Sequence, residues 1–217
     1  MKKIAIAALF ALSCAGAVAH ADDAALNAQI AQLQSEWAEI NYKITDHDTK
    51  LQRFEQLSTE ADALVEAYPD RAEPMVWSGI VLSTRAGAQG GLGALGLAKK
   101  AKSRLEAAEK INPDVLNGSI YSSLGTLYAK VPGAPIGFGS KKKARAYLEK
   151  AVAISPDGLD SNYFYGDFLI STGAYEQAGK FLNRAKLAPP RPGREVADAG
   201  RQSEIAEDLT LVQEHTR

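Results

Sequence analysis

One cysteine and three histidines are all that the 217 residues hold of the two commonest catalytic nucleophile and metal-ligand types. The cysteine, Cys14, lies in the apolar run of residues 4–19, so no intramolecular disulfide can form. That run follows Lys2 and Lys3 and ends on Ala19, His20 and Ala21, the charged start, apolar middle and small-residue finish of an export signal. It is shorter than the roughly 20 apolar residues that a membrane span needs. Cleavage after Ala21 is therefore expected. The alternatives are a retained anchor, or lipid attachment at Cys14, where Ala11 stands in place of the larger aliphatic residue such sites usually carry. Removing these 21 residues from 217 leaves 196, with 23 basic and 26 acidic side chains, a formal charge of −3, no thiol, and only His47 and His215. That balance argues against wholesale nucleic-acid binding. No later apolar run is long enough to cross a membrane, so residues 22–217 read as one exported domain. Strand alternation is missing as well, which points to an all-α fold.

What the sequence does have is a repeat. Ala178, Leu182, Ala185 and Pro190 recur 34 residues earlier as Ala144, Leu148, Ala151 and Pro156, and 43 before that as Ala101, Leu105, Ala108 and Pro113. Positions i, i+4 and i+7 share one helix face. The small residues admit a neighbouring helix at close range, and proline then stops the helix. A second helix precedes each pattern, carrying a large–Gly–large set: Trp77, Gly79 and Leu82; Leu124, Gly125 and Tyr128; Tyr165, Gly166 and Leu169. Upstream, Leu26, Ile30, Leu33, Trp37, Ile40 and Ile44 form an amphipathic stripe, with Leu51, Phe54, Leu57, Ala61 and Leu64 as its partner. Val196, Ala199, Ile205, Leu209 and Val212 mark a last helix, read as the polar-backed cap of a stack.

These paired helices resemble the tetratricopeptide repeat family. The resemblance implies an α-solenoid of about nine helices. Residues 22–69 read as a degenerate repeat and 70–113 and 114–156 as repeats with expanded loops. Residues 157–192 read as a regular repeat and 193–217 as the cap. Between the paired landmarks, the two expanded units exceed the regular one by ten and seven residues. The stretches "VPGAPIGFGSKKKARAYLEKA", "SPDGLDSNYFYGDFL" and "APPRPGRE" are further similar to exported repeat proteins grouped with the T-component of tripartite ATP-independent periplasmic (TRAP) transporters. That resemblance implies a protein partner, a periplasmic solute-binding component, and a hydrophobic or anionic ligand. It leaves the oligomeric state open, a homo-oligomer included.

Two places stand out as candidate binding sites. "GFGSKKK" puts Ser140 at a helix start with Lys141, Lys142 and Lys143 in the first turn, where the helix dipole disfavours each cation by about 0.3–1 kcal/mol. Lys99 and Lys100 follow the glycine-rich stretch of residues 90–96 in the same manner, so two adjacent helix starts would form an anion-accepting edge. Solvated lysines are the plainer reading. The inner face of the first helices is the second candidate, with Trp77 from one unit, Ser122, Ser123 and Thr126 from the next, and Tyr163, Phe164 and Asp167 from the third. A hydroxylated floor between aromatic walls suits an extended peptide or an amphipathic ligand. Trp77 and Phe164 as plain core residues is the competing reading.

Catalytic and cofactor motifs fare poorly. The G-x-G-x-x-G within residues 90–96 follows a helix rather than a strand, which makes it a loop rather than a nucleotide site. Asp46, His47 and Asp48 are consecutive and point apart, so they read as a connector with a helix cap and not as metal ligands. No cofactor, metal or catalytic residue is expected. The function expected is a non-catalytic periplasmic module that binds a partner protein through its groove and loop edge. The alternative is a carrier of a lipophilic solute.

Overall fold

The stripes read from the sequence are where the molecule is dry. Leu26, Ile30, Leu33, Trp37 and Ile40 are all buried, as are Phe54, Leu57, Ala61 and Leu64. The computed structural model describes residues 13–217, with side chains from residue 22 onward except Leu92. Residues 1–12 of the expected export signal lie outside the described part, as does the Cys14 side chain, and from Ser13 the backbone belongs to the first helix. The described helices are α1 (Ser13–Lys43), α2 (His47–Ala67), α3 (Ala72–Gln89), α4 (Gly91–Ile111), α5 (Ser119–Lys130), α6 (Lys141–Ile154), α7 (Leu159–Ser171), α8 (Tyr175–Lys186) and α9 (Glu195–His215). No strand occurs among the described residues, and no described helix is long and apolar enough to cross a membrane.

Each of the pairs α3/α4, α5/α6 and α7/α8 is locked by one leucine set against one glycine. A Cβ on Gly79, Gly125 or Gly166 would lie 2.7, 2.5 or 2.7 Å from the Cγ of Leu105, Leu148 or Leu182 respectively. The nine Ala/Leu/Ala positions of the three units are completely buried. The small residues thus bring the second helix close enough for its leucine to rest on the backbone of the first.

The first unit departs from the expected expanded loop. Its ten additional residues lengthen α3 and α4 instead, which meet at a tight turn where Gly90 and Gly91 both have φ of +61°. Only these two glycines use the left-handed region; the remainder of residues 90–96 is the opening of α4. Lys99 and Lys100 consequently lie within a helix and not at its start, and the Lys100 ammonium pairs with Asp62 at 2.6 Å. The expected edge of two adjacent lysine-bearing helix starts does not form. In the second unit the loop is real. The Gly139 N–H donates to the Pro132 carbonyl at 2.9 Å, and the Ser140 N–H donates to Tyr128 at 2.8 Å. Phe138 packs edge-on against Tyr128, with ring centroids 5.5 Å apart.

The last helix does more than cap the stack. α9 turns back onto α1, so that the first and last described helices meet: the Tyr42 ring sits where a Cβ on Gly200 would be, and its hydroxyl lies 3.4 Å from Glu204. Ala199, expected on the buried stripe, is exposed, whereas Ala197 and Arg201 are buried. Near this seam, burial first and the neighbouring Asp167 second raise the Asp208 carboxyl to about 6. Between about pH 4 and 6 the native chain therefore holds a proton there that the unfolded chain releases, and stability falls as pH rises through that window. Asp208→Asn is expected to flatten this slope and to gain about 1 kcal/mol at pH 7, after allowance for solvent screening of a half-open group. Urea titrations at pH 5 and 7.5 check it; parallel slopes for wild type and variant would refute it.

Candidate functional site

The first helices of successive pairs turn one face to a common hollow. α3 contributes Trp77, Ile80 and Thr84; α5 contributes Ser122, Ser123, Thr126 and Leu127; α7 contributes Asp160 and Phe164. The lengthened α4 supplies Gly91, Ala94, Leu95 and Ala98, and the 131–140 loop closes one side with Val131, Pro132 and Ile136. The first helix also reaches the hollow through Trp37, and the segment ahead of α9 reaches it through Arg191 and Arg194. The result is a half-open chamber of about 650 Å³.

Its walls are more apolar than the hydroxyl-rich sequence suggests. Ser83 and Thr84 donate to the Ile80 carbonyl at 2.9 and 3.0 Å, and Thr126 donates to Ser122 at 2.8 Å. Ser119 donates to Leu116 at 2.6 Å. With those protons turned to their own backbones, the threonines offer methyl groups to a ligand. Trp77 is 4 % exposed and forms part of the floor, edge-on to Trp37 with centroids 6.3 Å apart, and its buried indole N–H has no acceptor among the described residues. Trp37 donates to Thr84 at 2.9 Å. Trp77 is thus both a core residue and a lining residue.

The polar end of the chamber is an ion-pair cluster. Arg191 holds Asp160 at 2.6 Å and Asp198 at 2.6 Å, and Arg201 holds Asp160 at 3.0 Å from the other side. Burial alone would raise the Asp160 carboxyl; Arg201 and Arg191 outweigh it and hold it at about 2. Tyr163 and Phe164 lie under the Arg201 guanidinium, at 4.2 and 4.5 Å. Arg194 sits 5.3 Å over the Trp77 ring.

The structure divides the expected site residues between three places. Trp77, Ser122, Ser123, Thr126 and Phe164 share the chamber. Tyr163 and Asp167 are half-buried outside its lining; Asp167 is paired with Lys130 at 2.8 Å. Lys141, Lys142 and Lys143 are exposed at the start of α6, where the Ser140 hydroxyl accepts the Lys143 N–H at 3.3 Å. The Lys143 ammonium lies 5.1 Å from the Tyr128 ring, which gives that lysine a packing role; Lys141 and Lys142 have no ion-pair partner among the described residues. Sequence reasoning missed Trp37, Asp160, Arg191 and Arg194. "APPRPGRE" drew attention, but nothing local to it shows that its arginines meet α3 and α7. Asp46 caps α2, accepting the Thr49 N–H at 2.9 Å, and no metal-ligand cluster occurs among the described residues.

Residues 139–200 match the family model described as Tetratricopeptide repeat. No curated protein matches the sequence. Among solved structures, the chain is similar to a thermophilic TPR protein in Thermus thermophilus, at 17 % identity and a TM-score of 0.54, over 83 % of this chain and 99 % of that one. It also aligns with MamA, at 16 % identity and a TM-score of 0.44 over 79 % and 95 % of the two chains. YrrB, described as a TPR protein with an unusual peptide-binding site, aligns at 18 % identity and 0.43 over 76 % and 80 %. The match over residues 139–200 is thus one of similarity to the tetratricopeptide repeat family, and the chain as a whole shares the helical-repeat fold of the thermophilic TPR protein.

Proposed function

We propose that the protein is an exported, non-catalytic interaction module that works in the periplasm with a partner protein, with the chamber as its binding site. The apolar hollow on the first-helix face carries this reading. Tetratricopeptide-type folds generally serve protein interaction rather than catalysis, which supports it. The partner would dock over the chamber mouth, where Ile136 is 65 % exposed, and along the loop edge that leads to Lys141 and Lys142. A photo-reactive residue at position 136 is expected to give a discrete protein adduct in cells, weakened by neutralising Lys141, Lys142 and Lys143 together. The same residue at exposed Lys180 on α8 should give none. Equal labelling from both positions would contradict the docking site.

A second reading is that the chamber carries a lipophilic solute, as a T-component-like protein beside a solute-binding protein of a TRAP-type transporter. The closure of α9 on α1 favours it, because a chamber lined from the first helix and from the segment ahead of the last is finite, whereas an extended peptide needs a groove that continues.

A further inference from the structure

The four cations at the polar end of the chamber, Lys130, Arg191, Arg194 and Arg201, are matched in number by Asp160, Asp167, Asp198 and Glu204, but they are paired unevenly. Asp160 is shared between Arg191 and Arg201, Arg191 also holds Asp198, and Lys130 holds Asp167. Arg194 alone of the lining cations has no carboxylate in ion-pair reach among the described residues, and its buried Nε donates to nothing. Burial first, and the adjacent Arg191 second, depress it below the ordinary guanidinium value, against the opposing attraction of Asp160 and Asp198, neither of which reaches it as an ion pair. The guanidinium carbon lies 5.3 Å from the centroid of the Trp77 ring, the chamber floor. An apolar hollow with, at its end, one guanidinium that has no ion-pair contact and a buried Nε–H without an acceptor has the shape of a site for an amphipathic molecule with an acceptor headgroup.

We propose that the chamber takes a small lipophilic carboxylate, its chain against Trp37, Trp77 and Ile80 and its headgroup on Arg194. The assignment rests on the lipophilic-solute reading above and adds the headgroup chemistry to it. The Arg194 guanidinium makes no ion pair among the described residues, and its paired N–H groups match the two oxygens of a carboxylate. The chamber volume falls within the range of small-molecule sites. An alkyl chain finds aromatic faces, threonine methyls and alanines there, with few free hydroxyl donors to leave unpaired.

The two tryptophans of the chain both line the chamber, so their emission reports its occupancy. Titrating the full protein with dodecanoate, dodecanol and dodecyltrimethylammonium should give saturable changes, with dodecanoate binding about tenfold or more tighter than dodecanol and the ammonium weakest. In Arg194→Gln, dodecanoate should fall to the level of dodecanol, whose own affinity is unchanged. Arg194→Lys keeps the charge but loses the fork. It should bind dodecanoate several-fold more weakly than wild type, which preserves the test where the glutamine variant does not fold. Equal binding of all three probes by the wild type would overturn the headgroup assignment and leave the lipophilic chamber standing. Binding of none would overturn the lipophilic-solute reading itself. A carboxylate preference that survives in Arg194→Gln would overturn the role of Arg194.

Discussion

Replacing Gly125 with valine is expected to destabilise the fold by about 3 kcal/mol, at the upper end of overpacking costs. A Cβ at this position meets Leu148 Cγ at 2.5 Å, one of its methyls at 2.9 Å and its backbone nitrogen at 3.2 Å, so the clash cannot be relieved by rotating a chain end. Leu148 is completely buried between α5 and α6 and has no free volume to move into. The helix-propensity gain from losing glycine offsets only a few tenths of a kcal/mol. The urea midpoint should fall while the slope stays constant. Leu148→Ala alone should cost about 2–5 kcal/mol by leaving a cavity. The pair together should cost at least about 1 kcal/mol less than the sum, since valine then occupies space the leucine has left. Strict additivity would show that Gly125 and Leu148 are not the lock described.

Asp160→Ala should cost about 3 kcal/mol, because it strips the shared carboxylate from two guanidinium groups in the seam between α7 and α9. The figure stays at the low end for buried pairs. Asp198 and Glu204 still leave one acid beside each arginine, and about a third of the Asp160 side chain is open to solvent. The pH dependence has a definite sign. A carboxylate held at about 2 when folded, against 3.8 ordinarily, gives its full contribution above about pH 4 and loses it as pH falls toward 2. The stability gap between wild type and Asp160→Ala should therefore be widest above pH 4 and close below it. A gap independent of pH would mean that Asp160 acts through packing and not through charge.

The repeat was legible because its carriers lie close together in sequence and share one helix face. Ala144, Leu148 and Ala151 announce a helix that another can approach, and the spacing to Gly125 names the position they approach. The glycines of residues 90–96 were misleading for a physical reason: glycine is compatible with a loop, yet only Gly90 and Gly91 need their unusual backbone freedom, and the rest extend α4. Lys99 and Lys100 lost their expected place with that shift. The chamber was half legible. Trp77, Ser122, Ser123, Thr126 and Phe164 follow from one helix face repeated along the stack. Asp160, Arg191 and Arg194 do not, since they meet the other lining residues only when the segment ahead of α9 folds back over α7 and α3, as in the Arg191–Asp160 pair between residues 31 apart and the Arg194–Trp77 contact.

Native mass spectrometry of the protein purified from its native cells, beside a Ser123→Trp variant that fills the chamber, tests the central claim most directly. A chamber that serves as the binding site predicts a one-to-one small-molecule or partner adduct on the wild type and its loss from a variant that melts at the same temperature. A bare mass for both proteins, or an adduct that survives the blocking tryptophan, would contradict it.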